Sequence, residues 1–345
     1  MTEIGDIVLS DGTQAPDPDA TLLSVDDLRV TFQVGRQTVR AVDGVSFSIR
    51  RGEIFGIVGE SGCGKSATLR ALIGLLPDSG VWTSGRVRYG DRNLLELSER
   101  SLRRLRGAEI SMVFQDPMTF LNPVLRVSEQ IEEALRQHTS LGRAERRARA
   151  VELMRLVGIA LPERRLREYP HQFSGGMRQR VLLAIALACG PKVLLADEPT
   201  TALDVTIQDQ ILKLLKRLRD ELGMSIVLVS HDLGVIAQMC ERVAVMYAGQ
   251  LVEYASVREL IRNPRHPYTV GLLSSLPGLD TGSRYLVPIP GAPPRMTELA
   301  PGCRFAERCP LVLDECRSWQ TELLEAAPGH GSRCLRHDVV GRRDG

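Results

Sequence analysis

The stretch GESGCGKS, Gly59–Ser66, fits the pattern G-x-x-x-x-G-K-[ST]. It follows a short apolar run, Ile54–Val58, that reads as a buried strand, and it leads into Lys65–Leu76, which reads as a helix stopped by Pro77. In that setting the glycines Gly59, Gly62 and Gly64 let backbone N–H groups turn inward around phosphate oxygens, and the helix adds its positive N-terminal end. Lys65 would neutralise charge on the β- and γ-phosphates, and the Ser66 hydroxyl would ligate Mg²⁺. Ser61, Cys63 and Ala67 complete the candidate nucleotide-binding set, with Cys63 read as an inert small residue. A chance Gly-rich turn is the alternative that the strand–loop–helix context argues against.

Two further stretches carry matching chemistry. VLLADEP, Val193–Pro199, is an apolar strand ending in two carboxylates. Asp197 would hold Mg²⁺ through its water shell, and Glu198 would polarise an attacking water as general base. A strand followed by Asp-Glu is common, so its weight comes from the phosphate loop in the same core. FSGGMRQR, Phe173–Arg180, supplies a helix N-cap in Ser174 and exposed backbone N–H groups at Gly175 and Gly176, a second anion-binding helix end. One γ-phosphate needs one such device, so the second points to another nucleotide and to a head-to-tail dimer with ATP between the two surfaces. A plain helix cap is the simpler reading of those three residues alone.

The elements that must position these residues follow from the patterning. Leu22–Val34 and Val39–Arg50 alternate apolar and polar residues as strands do, and strand signals return at Val193–Ala196, Ser225–Val229 and Val243–Met246. Between the first two of these lies an amphipathic helix with Ile207, Ile211, Leu214, Leu215, Leu218 and Leu222 on one face, and Gly223 is placed to cap it. Residues from about 117 to 185 are rich in arginine and helix formers and read as an inserted helical lobe. Alternating strand and helix predicts an α/β core with a mostly parallel sheet. From about Leu276 the chain turns Pro- and Gly-rich and then cysteine-rich, which predicts a boundary at 282 and a small separate module over 283–345.

Composition narrows the class. The net charge of +2 carries no nucleic-acid or acidic-substrate signal, and only four of the 44 basic residues are lysines, Lys65 among them. Residues 1–21 lack a basic start and an apolar core, and read as a flexible leader with no signal peptide. No apolar stretch reaches the length of a membrane span, so any membrane role is expected to be peripheral. Seven cysteines without a secretory signal argue against a disulfide framework.

Taken together, the motifs from about Leu22 to Gly282 resemble the ATP-binding subunit of ABC transporters. The resemblance implies a P-loop NTPase core of RecA type with an antiparallel β subdomain and an inserted helical subdomain. It makes Ser174, Gly175 and Gly176 the signature motif, with Met177 where many members carry Gln. Gln115 in VFQDP becomes the glutamine that contacts Mg²⁺ and couples to membrane domains. Thr201–Asp204, ending in Asp204, becomes the loop that crosses the dimer interface. His231 in VLVSHD becomes the histidine that contacts the γ-phosphate, and Phe32 takes the place of the adenine-stacking aromatic, where a π face suffices. Catalysis is thereby assigned to Glu198, His231 and Gln115.

The stretches MTFLNPVLRV, SGGMRQR and NPRHPYT further resemble the dipeptide/oligopeptide importer branch. That implies an ATPase driving peptide import, peripheral on the cytoplasmic face of a bacterial cell membrane. Its partners would be a second, homologous ATPase in a heterodimer, two transmembrane permease subunits and an extracytoplasmic substrate-binding protein, with no nucleic acid. Importers of nickel or another small solute, and soluble ABC ATPases of repair or translation, are the alternatives. A regulatory module with slight turnover is a third.

The cysteines in the tail, Cys303-x5-Cys309-x6-Cys316-x17-Cys334, offer four thiolates without a C-x-x-C knuckle. The importer branch carries a cysteine-rich extension of this kind that in some members holds a 4Fe–4S cluster. The resemblance therefore implies a cluster on these four residues, with Zn²⁺ or unligated thiols as alternatives.

Overall fold

A computed structural model of the chain describes residues 20–201, 203–275, 288–319 and 322–340. Residues 1–19 of the expected leader, the expected boundary at 282 and Ala202 lie outside the described residues. The two alternating segments pair antiparallel as β1 (Thr21–Val34) and β2 (Gln37–Arg50). Next come β3 (Ile54–Val58), β4 (Val81–Tyr89), the two-residue β5 (Arg92–Asn93) and β6 (Ile110–Val113). After a helical stretch come β7 (Val193–Asp197), β8 (Ser225–Ser230), β9 (Arg242–Tyr247) and β10 (Gln250–Ser256). The tail contributes β11 (Leu324–Ala327) and β12 (His330–Ser332).

These strands form two sheets. The smaller runs β2-β1-β4-β5 and is antiparallel throughout. The larger runs β11-β12-β10-β9-β3-β8-β7-β6, with β6, β7, β8, β3 and β9 parallel. The parallel strands are buried on both faces, which is why they read as continuous apolar runs rather than as alternation. Along β3, Ile54 and Val58 join one core while Phe55 and Ile57 join the other; along β7, Leu194 and Ala196 oppose Val193 and Leu195 in the same way. Gly56 lets the Leu233–Met239 helix approach the sheet, since a Cβ there would lie 2.9 Å from Ile236. A mostly parallel sheet with a separate antiparallel one beside it is the α/β arrangement that the patterning predicts.

Between β6 and β7 the described chain is helical, with helices Pro117–Phe120, Val127–His138, Arg143–Leu156, Pro162–Arg165 and Gly175–Ala186. The amphipathic segment forms the helix Val205–Leu222, capped by Gly223 at φ 62°. The helix expected over Lys65–Leu76 ends at Leu72 instead. Gly74, at φ 62°, closes it: Gly74 N–H donates to Ala71 O and Leu75 N–H to Arg70 O. That pair of bonds is a Schellman motif, so the glycine stops the helix before Pro77 is reached.

The tail departs from the expected separate module. β12 pairs with β10 and so extends the main sheet. Phe305, 2% exposed, packs against the rings of Tyr247 and Tyr268. Buried Arg304 pairs with Asp43 of β2 and caps the Ala248 carbonyl. So few apolar residues could not close a core alone, and they are buried by borrowing the surface of the larger domain. Trp319 of the tail is 53% exposed and takes no part in this packing.

Candidate nucleotide site

β3 delivers the chain into the phosphate loop, and the helix Lys65–Leu72 leaves it. Two of the loop's glycines are dictated by space. A Cβ on Gly59 would lie 2.1 Å from Met246 O, and one on Gly64 would lie 2.1 Å from Ala41 O, with φ at +107° besides. Gly62, at φ +77°, meets nothing within 4 Å, so its requirement is the backbone turn alone. Cys63 is buried and burial raises its thiol pKa, as suits a packing residue. The Lys65 ammonium is 2.7 Å from Gly59 O and 3.0 Å from Glu60 O.

A cleft of about 480 Å³ opens over this loop. Ala41, Ser61, Gly62, Gly64, Lys65, Ser66, Ala67, Gln115, Glu198, Thr201 and His231 line it. Ser66 Oγ donates to Asp197 Oδ1 at 2.8 Å. Asp197 is 1% exposed; burial raises its carboxyl pKa, and the Ser66 hydrogen bond and the Arg70 and Lys65 charges oppose that rise. A hydroxyl and a carboxylate held together beside a phosphate-type loop suit Mg²⁺ in donor chemistry.

Glu198 is the point of convergence. Its Oε2 accepts from Gln115 Nε2 at 3.2 Å and from Thr201 Oγ1 at 2.8 Å, and lies 3.0 Å from His231 Nδ1. Lys65 Nζ is 3.8 Å from Oε1. Glu198 itself sits at φ 46°, a left-handed conformation that side chains rarely adopt. Such strain persists where surrounding structure holds it, here the Glu198 N–H donating to Val229 O and the cluster around its carboxylate. In the sequence Thr201 falls only within a loop motif; as a hydroxyl three residues after the acid it closes a local hydrogen bond that a sequence pattern does not advertise.

Of the remaining expected residues, Ser174, Gly175, Gly176 and Asp204 form a second cluster and Phe32 stands apart. Ser174, Gly175, Gly176, Asp204 and Phe32 are not among the described residues lining the cleft. Ser174 caps the Gly175–Ala186 helix, accepting from Met177 N–H, and Asp204 caps the Val205–Leu222 helix, accepting from Ile207 N–H. The two helix starts touch. A Cβ on Gly176 would lie 2.6 Å from Ile207 Cγ2, whereas one on Gly175 would meet Leu203 at an ordinary 3.6 Å. Packing therefore explains Gly176 and leaves Gly175 without a packing reason inside the chain. Phe32 is half-buried on β1, paired with Val39 and Val81.

In the tail, Cys303, Cys309, Cys316 and Cys334 line one small cavity of about 20 Å³ with His266, Phe305 and Arg333. Burial raises the pKa of Cys303 and Cys309, and pushes that of Cys334 up to about 12. The four fit a thiolate-bound metal in kind but not in arrangement. Among the described residues no group of three or more His, Cys, Asp and Glu side chains is placed to hold a metal ion. The physical reason is space: the cavity has room for about one water, and the thiols around it pack as small apolar groups.

A family model described as ABC transporter matches residues 42–201, and one described as Oligopeptide/dipeptide transporter, C-terminal region, matches 252–316. A probable peptide ABC transporter ATP-binding protein of Sinorhizobium fredii is 51% identical over 321 residues, 92% of this chain and 96% of that protein. The dipeptide transport ATP-binding protein DppD of Bacillus subtilis is 52% identical, across 86% of this chain and 88% of its own. The oligopeptide transport ATP-binding protein OppD of Mycobacterium tuberculosis is 52% identical across 93% of this chain and 53% of its own length, so the chain spans about half of that relative. Among solved structures, a dimeric ATP-binding cassette in a post-hydrolysis state with ADP and Pi matches with a TM-score of 0.61 at 32% identity, over 68% of this chain and 99% of that one.

Proposed function

The chain belongs to the ABC transporter family as an ATP-binding subunit, and from that premise we propose that it hydrolyses ATP to power import of di- or oligopeptides. The observation that carries the chemistry is the convergence of Lys65, Gln115, Thr201 and His231 on the Glu198 carboxylate, beside the Ser66–Asp197 pair. The relatives' names, which speak of peptide, dipeptide and oligopeptide transport, support the cargo class.

In this reading the backbone N–H groups of residues 59–64 and the Lys65 ammonium hold the triphosphate. Ser66 and Asp197, with Gln115, would hold Mg²⁺, which neutralises phosphate charge when bound. Glu198 takes the proton of the attacking water, and His231 and Thr201 orient that carboxylate. Phe32 offers a ring to the adenine. The second cluster, Ser174 to Gly176 with Asp204, completes the site of a neighbouring ATPase of the same family in a head-to-tail dimer. What supports this is that the helix start lies outside the cleft of its own chain and that Gly175 has no packing reason within it.

No described helix is long and apolar enough to cross a membrane. By its family, the subunit would sit peripherally on the cytoplasmic face of a bacterial membrane, under two permease subunits fed by a binding protein. The four tail sulfurs share one cavity but are not arranged to hold a metal, so a 4Fe–4S cluster, with Zn²⁺ as the alternative, rests on the resemblance to the importer branch alone, and no step is assigned to it. Iron, sulfide and zinc analysis of anaerobically purified protein decides it; metal-free protein with four free thiols ends that reading.

The main test is reconstitution with the permeases in vesicles. Peptide uptake should require ATP and stop with Glu198→Gln, which should still bind ATP but turn it over about 10²- to 10⁴-fold more slowly. Undiminished turnover in that variant would remove Glu198 from its role.

A further inference from the structure

Glu60 is the second residue of the phosphate loop, yet it is not among the described residues lining the cleft. Each of its polar groups is committed elsewhere. Its N–H donates to the hydroxyl of buried Tyr268 at 2.9 Å, and its carbonyl accepts from Lys65 Nζ at 3.0 Å. Its carboxylate takes a two-pronged pair from the tail, with Arg308 Nη1 2.7 Å from Oε2 and Nη2 3.0 Å from Oε1.

Arg308 is fixed from every side. Its side chain is 5% exposed. The guanidinium lies 5.7 Å from the Tyr247 ring centre and 5.8 Å from that of Phe305. Nε donates to Pro290 O at 2.8 Å and Nη1 to the Tyr247 hydroxyl at 3.2 Å. A planar fork so held offers one geometry to the carboxylate it meets, which an ammonium on a flexible stem would not. The route is short: Arg308 holds Glu60, and Glu60 through its carbonyl holds the lysine that must meet the phosphates. Arg308 also directly precedes Cys309, so one segment borders both the phosphate loop and the thiol cavity.

We propose that Arg308 is a positioning residue for nucleotide binding, a brace by which the C-terminal segment sets the phosphate loop and Lys65 through Glu60. This rests on the reading of the cleft as an ATP site. It assigns the tail a part in that site, although more than 240 positions separate the two residues in the chain.

The test uses the full chain and the affinity for MgATP, read by displacement of a fluorescent ATP analogue, with KM and kcat from ATPase assays. Arg308→Met and Glu60→Gln should each raise Kd and KM about tenfold, with a much smaller change in kcat. The double variant should be no worse than either single one, because both remove the same contact. Arg308→Lys, which keeps the charge without the fork, should recover part of the loss. Lower thermal stability in Arg308→Met and Glu60→Gln with unchanged Kd and KM would reduce the pair to a structural tie and overturn the proposal. Multiplicative effects in the double variant would overturn it too. Wild-type protein that failed to bind MgATP would bring down the nucleotide reading itself, a result distinct from variants that bind as well as wild type.

Discussion

His231 Nδ1 lies 3.0 Å from Glu198 Oε2, so a residue at the end of β8 and one at the end of β7 meet over the phosphate loop. β7 and β8 are hydrogen-bonded neighbours, with Asp197 opposite Val229, and the parallel register carries both strand ends to the same edge of the sheet. Ligand sites of open α/β sheets gather at the carboxyl ends of their strands for this reason. Glu198 and His231 are therefore held together, the imidazole beside one oxygen of the carboxylate.

Replacing His231 by Ala removes that contact and leaves the Thr201 and Gln115 hydrogen bonds to Glu198 in place. Turnover should fall about 10²-fold, the lower end for a lost acid–base partner. ATP affinity should change far less. Steady-state kinetics on the reconstituted transporter, with kcat and KM separated, check this; a KM effect alone would assign His231 to binding.

The two signature glycines should behave differently. Gly176→Ala drives a methyl to 2.6 Å from Ile207 Cγ2 and should destabilise the fold by about 1–3 kcal/mol, seen as a lower Tm. Gly175→Ala has ordinary space near Leu203, and alanine favours the helix, so its Tm should hold or rise slightly. If Gly175 faces a neighbour's nucleotide, its variant should nonetheless lose ATP-dependent dimerisation, measured by sedimentation with the Glu198→Gln background.

The tail should unfold with the core. Phe305 fills a cluster of Tyr247, Tyr268 and His266 rings, with centroids 5.3, 5.5 and 5.8 Å away. Phe305→Ala should cost about 3–5 kcal/mol of the cooperative transition rather than expose a separate early one. Calorimetry of wild type and variant distinguishes these; two resolved transitions in wild type would mean that the tail is an independent unit after all.

Acid should weaken the fold through His266. Its ring is fully buried and receives the Tyr268 N–H at Nδ1, and burial with the Arg333 charge nearby lowers its pKa from 6.5 to about 3. The folded state holds this imidazole neutral, whereas the unfolded chain protonates it below pH 6.5. The unfolded state thus binds the extra proton, so the contribution is complete above pH 6.5 and is lost as pH falls toward 3. The slope from this group is at most about 1.4 kcal/mol per pH unit. Denaturant midpoints across that window should decline less steeply in His266→Gln.

The unequal legibility of the molecule has physical causes. Phosphate handling, strand ends and helix caps are local: the Gly59–Ser66 loop, the caps at Ser174 and Asp204 and the αL stop at Gly223 each depend on a few consecutive residues. The Schellman stop at Gly74 is equally local, although Pro77 is the more visible stop signal in the sequence. Nothing local distinguishes Arg308 or Arg304 from the many other arginines, and cysteine spacing alone does not report how little room the fold leaves between the thiols.

The sequence by itself determined the α/β core, the phosphate loop, the order of the motifs and the family, because backbone conformation and hydrogen-bond chemistry are set within a few positions. Tertiary structure alone decided that Glu198 is the hub of five side chains including its own, that the tail completes the main sheet through β12 and β10, and that Arg308 holds Glu60. These are contacts between residues far apart in the chain, fixed by sheet order and by which buried charges find a partner, and neither is written in any short stretch.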